Sequence, residues 1–264
     1  MSFWEALLLG LVQGLTEFLP VSSSGHLALF TALLGGEMLP EENLLFTIVV
    51  HVATALATIV VFRKDIAELI LGVFQKDTAA ARHYVGKIGV SMLPAVVVGL
   101  FFEDEITALF GSNVALVGVL LCITALLLFL TDRNESKDRT ISYAFALLIG
   151  FAQAIAILPG ISRSGATIAT ALLIGAARPE AARFSFLMVI PLILGSMAKT
   201  LVDNGSSVFV TVDAMPLLIG FIAALLSGVL ACTWMIAIVK RSKLSYFAAY
   251  CLVVGLTATI ISWN

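Results

Sequence analysis

Apolar residues in this chain come in solid runs, not in alternation with polar ones. A membrane-crossing helix needs about 20 apolar residues at roughly 1.5 Å of rise each. Six runs meet that requirement, some only with snorkelling ends: Leu44–Phe62, Ile88–Phe102, Val114–Leu130, Phe184–Leu201, Met215–Val239 and Leu244–Ile261. Two further apolar stretches are interrupted. Trp4–Gly35 is broken by Glu17, Pro20 and Ser22-Ser23-Ser24-Gly25-His26. Ile141–Ala176 is broken by Pro159-Gly160 and Ser162-Arg163-Ser164-Gly165. Each interruption predicts two short helices with polar backbone between them. Such backbone is tolerated at membrane depth only against protein or a wet cavity. Both stretches are therefore expected to be re-entrant hairpins; shape alone also allows one long kinked span in each.

The placement of charge favours the hairpins. Of the 15 Lys and Arg residues, all but Lys199 and Arg163 fall in alternate connections. Arg63, Lys64, Lys76, Arg82 and Lys87 follow the first span, and Arg133, Lys137 and Arg139 the third. Arg178 and Arg183 precede the fourth; Lys240, Arg241 and Lys243 separate the last two. The other connections carry Glu37, Glu41, Glu42, Glu103, Asp104, Glu105, Asp203 and Asp213. The positive-inside rule then puts the basic loops in the cytoplasm and both termini outside. That map closes only if each broken stretch returns to the side it entered from.

A self-comparison at an offset of 140 aligns Gly10, Gln13, Ser22, Ser24, Gly25, Leu33 and Gly35 with Gly150, Gln153, Ser162, Ser164, Gly165, Leu173 and Gly175. The expectation is an all-α integral membrane protein with one membrane domain, 1–264. Its halves, 1–131 and 141–264, are joined by a short cytoplasmic loop, 132–140. Each half is one re-entrant helical hairpin plus three transmembrane helices. Three is odd, so the halves are inverted, which places a site where the hairpins meet.

Composition agrees: 60% of residues are AVILMFWYC and 12% are charged, with a mean hydropathy of +1.08. This excludes an ordinary soluble enzyme, a disordered chain and a secreted disulfide scaffold. A formal net charge of −2 offers no basic surface for nucleic acid. Cys122, Cys232 and Cys251 lie in apolar runs and read as small core residues. The opening Met1-Ser2-Phe3-Trp4-Glu5 lacks a basic segment and does not read as a cleaved leader. His51 reads as a core histidine, His83 as a solvated loop residue, Thr131–Arg139 as a solvated turn, and Pro94 and Pro191 as kinks. The stretch Arg63–Lys87 has room for a surface helix.

The chemistry collects at the two breaks. Gln13 and Glu17 share a helical face. Pro20 ends that helix, and the serines suit the N-cap of the next. The second break repeats this grammar and adds Arg163. Two helix N-termini and a guanidinium make an anion site, with a fork that fits phosphate oxygens. An ionised residue at membrane depth costs about 2.5–3.5 kcal/mol and marks function by default. A Glu17–Arg163 ion pair that only ties the hairpins together is the competing reading. Phosphoryl transfer needs positive charge, a nucleophile and a proton handler. Ser23 can attack phosphorus, with His26 taking its proton, or His26 can itself attack. Glu17 can hold a divalent cation, with Gln13 as a second ligand, or orient His26. Ser22, Ser24, Gly25, Ser162, Arg163, Ser164, Gly165 and Thr167 are the candidate phosphate holders.

The runs QGLTEFLPVSSSGH and PGISRSGAT resemble the two signature motifs of the BacA-type undecaprenyl-diphosphate phosphatases, and the length and repeat layout fit over the whole chain. The resemblance implies hydrolysis of undecaprenyl diphosphate to the monophosphate and inorganic phosphate, recycling the carrier lipid of bacterial cell-wall synthesis. It also implies Mg²⁺ or Ca²⁺ and a site facing the outside of the plasma membrane. The family's glutamate falls on Glu17, its serine pair on Ser22 and Ser23, its next hydroxyl on Ser24 and its histidine on His26. The second motif's serine and arginine fall on Ser162 and Arg163. The family's first acidic position is Gln13 here, which puts a second metal carboxylate in doubt. Ser24-Gly25-His26 also resembles one motif of the acid-phosphatase superfamily, but no histidine follows Arg163 at the expected distance, and that reading is rejected. A transporter or flippase using the same anion pocket, and a purely structural protein, are the alternatives from other classes. The polyprenyl diphosphate and membrane lipids are the expected partners; the oligomeric state, a homodimer included, is left open.

Overall fold

The computed structural model describes residues 1–34, 40–75, 79–102, 105–106, 114–133, 138–204, 213–241 and 243–262. Gly35, Glu37, Lys76, Glu103, Asp104 and Lys137, used above for the repeat and the charge map, lie outside them. The described residues are helical and form no strand: α1 (Phe3–Phe18), α2 (Ser23–Leu34), α3 (Pro40–Val61), α4 (Arg63–Phe74), α5 (Ala79–Phe101), α6 (Val114–Thr131), α7 (Tyr143–Ile155), α8 (Arg163–Leu173), α9 (Arg178–Asn204), α10 (Ala214–Arg241) and α11 (Ser245–Ile261).

Five helices among the described residues are long and apolar enough to cross a membrane, over Leu44–Val61, Ala79–Phe101, Val114–Thr131, Arg178–Asp203 and Ala214–Val239. The chain is a multi-pass membrane protein. The sixth expected span is α11, at 17 residues. It rises only about 25 Å, short of a hydrocarbon core of about 30 Å. α5 and α9 begin earlier than their apolar runs because each helix continues through polar residues at its end. Pro94 and Pro191 sit inside these two helices. α4 is the helix for which Arg63–Lys87 had room; its Ile70, Leu71 and Phe74 are exposed. His83 lies on α5, not in a loop, and its Nδ1 is 3.2 Å from the Tyr143 hydroxyl.

Both interrupted stretches are pairs of short helices, α1–α2 and α7–α8. Each has a reason to start and stop where it does. Ser2 and Glu5 cap α1 reciprocally, and Ser142 accepts from the Phe145 amide to cap α7. Leu19, extended before Pro20, ends α1. The ends of the second stretch are stitched together: the Arg139 amide donates to the Gly175 carbonyl at 2.9 Å, beside a backbone bridge between Arg139 and Ala176. In the first stretch, Met1 and Phe30 pack on one apolar cluster with Leu9, Phe46 and Val50.

Each first helix of a pair packs on a long helix from the other half: α1 on α10, and α7 on α5. Small residues let the backbones approach. A Cβ at Gly10 would lie 2.5 Å from the Gly220 carbonyl, and one at Gly150 would strike the Ser91 carbonyl. α6 and α11 cross at Gly118 and Gly255, where a Cβ on either would lie 2.6 Å from the other's carbonyl oxygen.

The basic ends gather by contacts between connections. Arg183 at the start of α9 pairs with Asp65 of α4 at 2.6 Å. Asp132, after α6, accepts from the Ser245 amide at 2.7 Å and lies 3.5 Å from Arg178. Asp132 is therefore a clamp between α6, α9 and α11, not part of a solvated turn. Cys232 and Cys251 are buried as expected, and Cys122 is half-buried.

Candidate active site

The two breaks touch. A Cβ built on Gly25 would lie 3.2 Å from Cα of Gly160, and one on Gly165 would lie 3.3 Å from Cβ of Pro20. The Ser164 hydroxyl donates to the Leu19 carbonyl at 3.1 Å, tying the second break to the first.

The breaks share a capping design. Ser22 Oγ accepts from the Gly25 amide at 3.2 Å, and Ser162 Oγ from the Gly165 amide at 3.0 Å. Each cap lies near the second serine along: Ser22 to Ser24 at 3.4 Å, Ser162 to Ser164 at 3.3 Å. Remaining amides of both helix starts stay available to an anion. Backbone in the left-handed region closes each turn, at Ser22 (φ 70°) in the first and Gly160 (φ 103°) in the second. A serine held there stores roughly 1–3 kcal/mol, a strain typical of functional turns.

Glu17 is the centre of the constellation. It is buried on α1, and its Oε1 pairs with the half-buried Arg163 guanidinium at the start of α8. Its Oε2 accepts from Ser23 Oγ at 2.6 Å and from Gln13 Nε2 at 3.0 Å. The ion pair of the competing reading is thus present, with the candidate nucleophile on the same carboxylate. Gln13 Oε1 is buried without a hydrogen-bond partner. An orphan amide oxygen, a carboxylate and a hydroxyl form a hard-oxygen donor set suited to Mg²⁺ or Ca²⁺ rather than to a thiolate- or imidazole-bound ion. No cluster of three or more His, Cys, Asp or Glu side chains occurs among the described residues.

His26 belongs to the same site but has other partners. Its Nδ1 is 2.8 Å from the Ser22 carbonyl and its Nε2 is 2.8 Å from the Tyr250 hydroxyl on α11. The hydrogen bond from Ser23 goes to Glu17, so Glu17 and not His26 is the acceptor in contact with that hydroxyl. The Thr167 hydroxyl donates back to the Arg163 carbonyl at 2.9 Å. His51 is half-buried, with Nδ1 bonded to the Thr47 carbonyl, and lies within electrostatic reach of Glu17.

Two contributors escaped the sequence. Thr124 on α6 accepts from the Ser162 amide at 3.0 Å and donates to the Gly160 carbonyl at 3.1 Å, pinning the second turn. Tyr250 reaches His26 from the other end of the chain. Both are single polar residues in apolar runs, and nothing in their local sequence sets them apart from lipid-facing or core positions.

Comparison with known proteins bears on the same segments. The family profile described as Bacitracin resistance protein BacA matches residues 6–257. A protein of Christiangramia forsetii named Undecaprenyl-diphosphatase is 56% identical over 263 residues, covering 100% of this chain and 99% of its own. One of Bacteroides fragilis with the same name is 50% identical over 268 residues, covering 99% of each. One of Methanococcus vannielii, also so named, is 41% identical over 259 residues, covering 96% of this chain and 97% of its own. With both signature motifs inside the matched span and converging on one carboxylate–guanidinium centre, the chain belongs to the BacA family.

Proposed function

We propose that this chain hydrolyses undecaprenyl diphosphate to undecaprenyl phosphate and inorganic phosphate. The observation that carries the reading is the single carboxylate of Glu17, shared by Arg163 and Ser23. The names of relatives matched over essentially the full chain support it.

A diphosphate arriving at the two helix starts competes with Glu17 for Arg163, because its oxygens match the guanidinium fork. Moving Arg163 onto the phosphate removes the cation from Glu17 and leaves its carboxylate more basic, beside the Ser23 hydroxyl. Ser23 Oγ then attacks the terminal phosphorus and its proton passes to Glu17. The bond from phosphorus to the bridging oxygen breaks, and undecaprenyl phosphate departs with that electron pair. Water then attacks the phosphoserine, the bond from phosphorus to Ser23 Oγ breaks, Glu17 returns its proton to that oxygen, and the water's own protons leave on the inorganic phosphate. Arg163 and the amides of the helix starts that the caps leave unused, at Ser24 and Ser164, stabilise the charge on the equatorial oxygens. Attack by His26 is disfavoured, since both its ring nitrogens are engaged. Glu17 and Gln13 Oε1 would hold a Mg²⁺ or Ca²⁺ ion, which supplies charge neutralisation to the diphosphate.

The fold proposed around this chemistry is an inverted repeat of two re-entrant hairpins and three spans per half. The stitched ends at Arg139 and Gly175 support a return to the same side. The reciprocal contacts of Gly25 with Gly160 and Gly165 with Pro20, each pair related by the offset of 140, support a pseudo-two-fold axis. The basic ends support a cytoplasmic side for those connections and a site toward the outer face of the bacterial plasma membrane.

Phosphate release from undecaprenyl or farnesyl diphosphate by detergent-solubilised protein, with and without chelator, tests the function. Turnover that the chelator removes and Mg²⁺ or Ca²⁺ restores is expected. Binding without turnover would favour a carrier, since no gradient exists in detergent.

A further inference from the structure

Tyr250 stands outside both signature motifs, yet it is bonded to a candidate catalytic side chain. It lies on α11, more than 200 residues from His26 (|i−j| = 224), with its hydroxyl 2.8 Å from Nε2. The two rings stack at 5.6 Å between centroids, with 10° between planes. His26 is buried, at 3% exposure, whereas Tyr250 is 46% exposed. On the other side of the imidazole, Nδ1 faces the Ser22 carbonyl. A carbonyl oxygen can only accept, so in the neutral ring Nδ1 carries the proton. Nε2 is then a lone pair, and the Tyr250 hydroxyl is its donor.

From this geometry we infer that Tyr250 is a positioning residue for the phosphatase reaction, fixing the tautomer and ring plane of His26 through its hydroxyl. The inference rests on the proposed activity. Without the hydroxyl, the ring is held from its Nδ1 side alone, against the carbonyl of Ser22, a residue in left-handed backbone. Nε2 then loses its fixed donor. The exposed phenol also places this contact where the buried site meets the lipid-facing surface. A substrate entering there meets Tyr250 before His26, and a phosphate oxygen, itself an acceptor, can take the place of the hydroxyl on Nε2 only when that nitrogen carries a proton.

Tyr250→Phe keeps the stacking ring and removes only the hydroxyl. With polyprenyl diphosphate as substrate, kcat is expected to fall about three- to tenfold, the effect of one neutral hydrogen bond, with KM near the wild-type value. Histidine ¹⁵N spectra of the solubilised protein give the second readout. The chain has 3 histidines, and His51→Gln and His83→Gln variants assign them. Wild type is expected to show the Nδ1–H tautomer at His26, and Tyr250→Phe a shifted Nε2 resonance with tautomer exchange. Wild-type kcat in Tyr250→Phe would overturn the inference. So would a reduced kcat with an unchanged His26 spectrum, because the tyrosine would then act only in packing. Should Tyr250→Phe fail to purify folded, Tyr250→Trp, which retains an N–H donor, is expected to keep the His26 spectrum nearer wild type than Tyr250→Leu; equal spectra would sink the idea. Absence of turnover in the wild type would overturn the phosphatase reading instead, while the spectra would still report on the His26–Tyr250 bond.

Discussion

The two breaks share a backbone and differ in chemistry. Serine caps at 3.2 and 3.0 Å and serine pairs at 3.4 and 3.3 Å recur in both. At the offset of 140, however, Glu17 corresponds to Ile157, Ser23 to Arg163 and His26 to Ala166. The repeated part makes two anion-seeking helix starts. The unrepeated part puts a carboxylate and the candidate nucleophile on one side and a guanidinium on the other. A symmetric pocket would attract a diphosphate equally from both sides; under the proposed mechanism the divergence gives its terminal phosphate one side from which to be attacked.

Removing the proposed nucleophile should break this division of labour most completely. Ser23→Ala is expected to lower phosphate release on the order of 10³-fold or more with unfolding temperature unchanged; activity within tenfold of wild type would exclude Ser23 as nucleophile. Removing the cation comes next. Arg163→Ala should cost roughly 10²–10³ in kcat and also destabilise, since it leaves Glu17 buried and unpaired. The doubly neutral Glu17→Gln/Arg163→Met variant separates the two effects. Replacing both charges is close to neutral for folding, so it should melt near wild type yet release no phosphate. If the doubly neutral protein retained turnover, the pair would be a structural tie alone.

The turns themselves should respond unequally. Gly160→Ala meets positive-φ backbone and would place Cβ 2.6 Å from the Val117 carbonyl. It should destabilise by about 1–3 kcal/mol, visible in thermal melts. The smallest effect concerns the caps. Ser162→Gly should cost a few tenths of a kcal/mol. Ser22→Gly relieves left-handed strain as it removes a cap, so it should melt at or above the Ser162→Gly temperature. The reverse order would remove strain at Ser22 from the account.

Much of the site was legible because its chemistry is dense in sequence. Gln13, Glu17, Ser22, Ser23 and His26 lie within 14 residues, and charge inside an apolar run is conspicuous when burial is costly. Pairing Glu17 with Arg163 was an open alternative from the sequence, and the structure forms it. The partner of His26 was not legible. Its expected neighbours were Ser23 and Glu17, one turn away or across the turn, whereas the bond goes to Tyr250 on the last helix. Asp132 was misread for the same reason: a charge in a polar run looks solvated until α9 and α11 are known to begin beside it.

Sequence alone determined the membrane solvent, the helical class, the two interruptions and the residue types available to bind phosphate. All of these follow from local rules, since hydrocarbon tolerates neither free backbone nor unpaired charge. Tertiary structure decided which breaks face each other, that Ser23 bonds Glu17 while His26 bonds Tyr250, and where small residues let helices close on the site. Those choices depend on packing between segments far apart in the chain, where shape and not composition selects the partner.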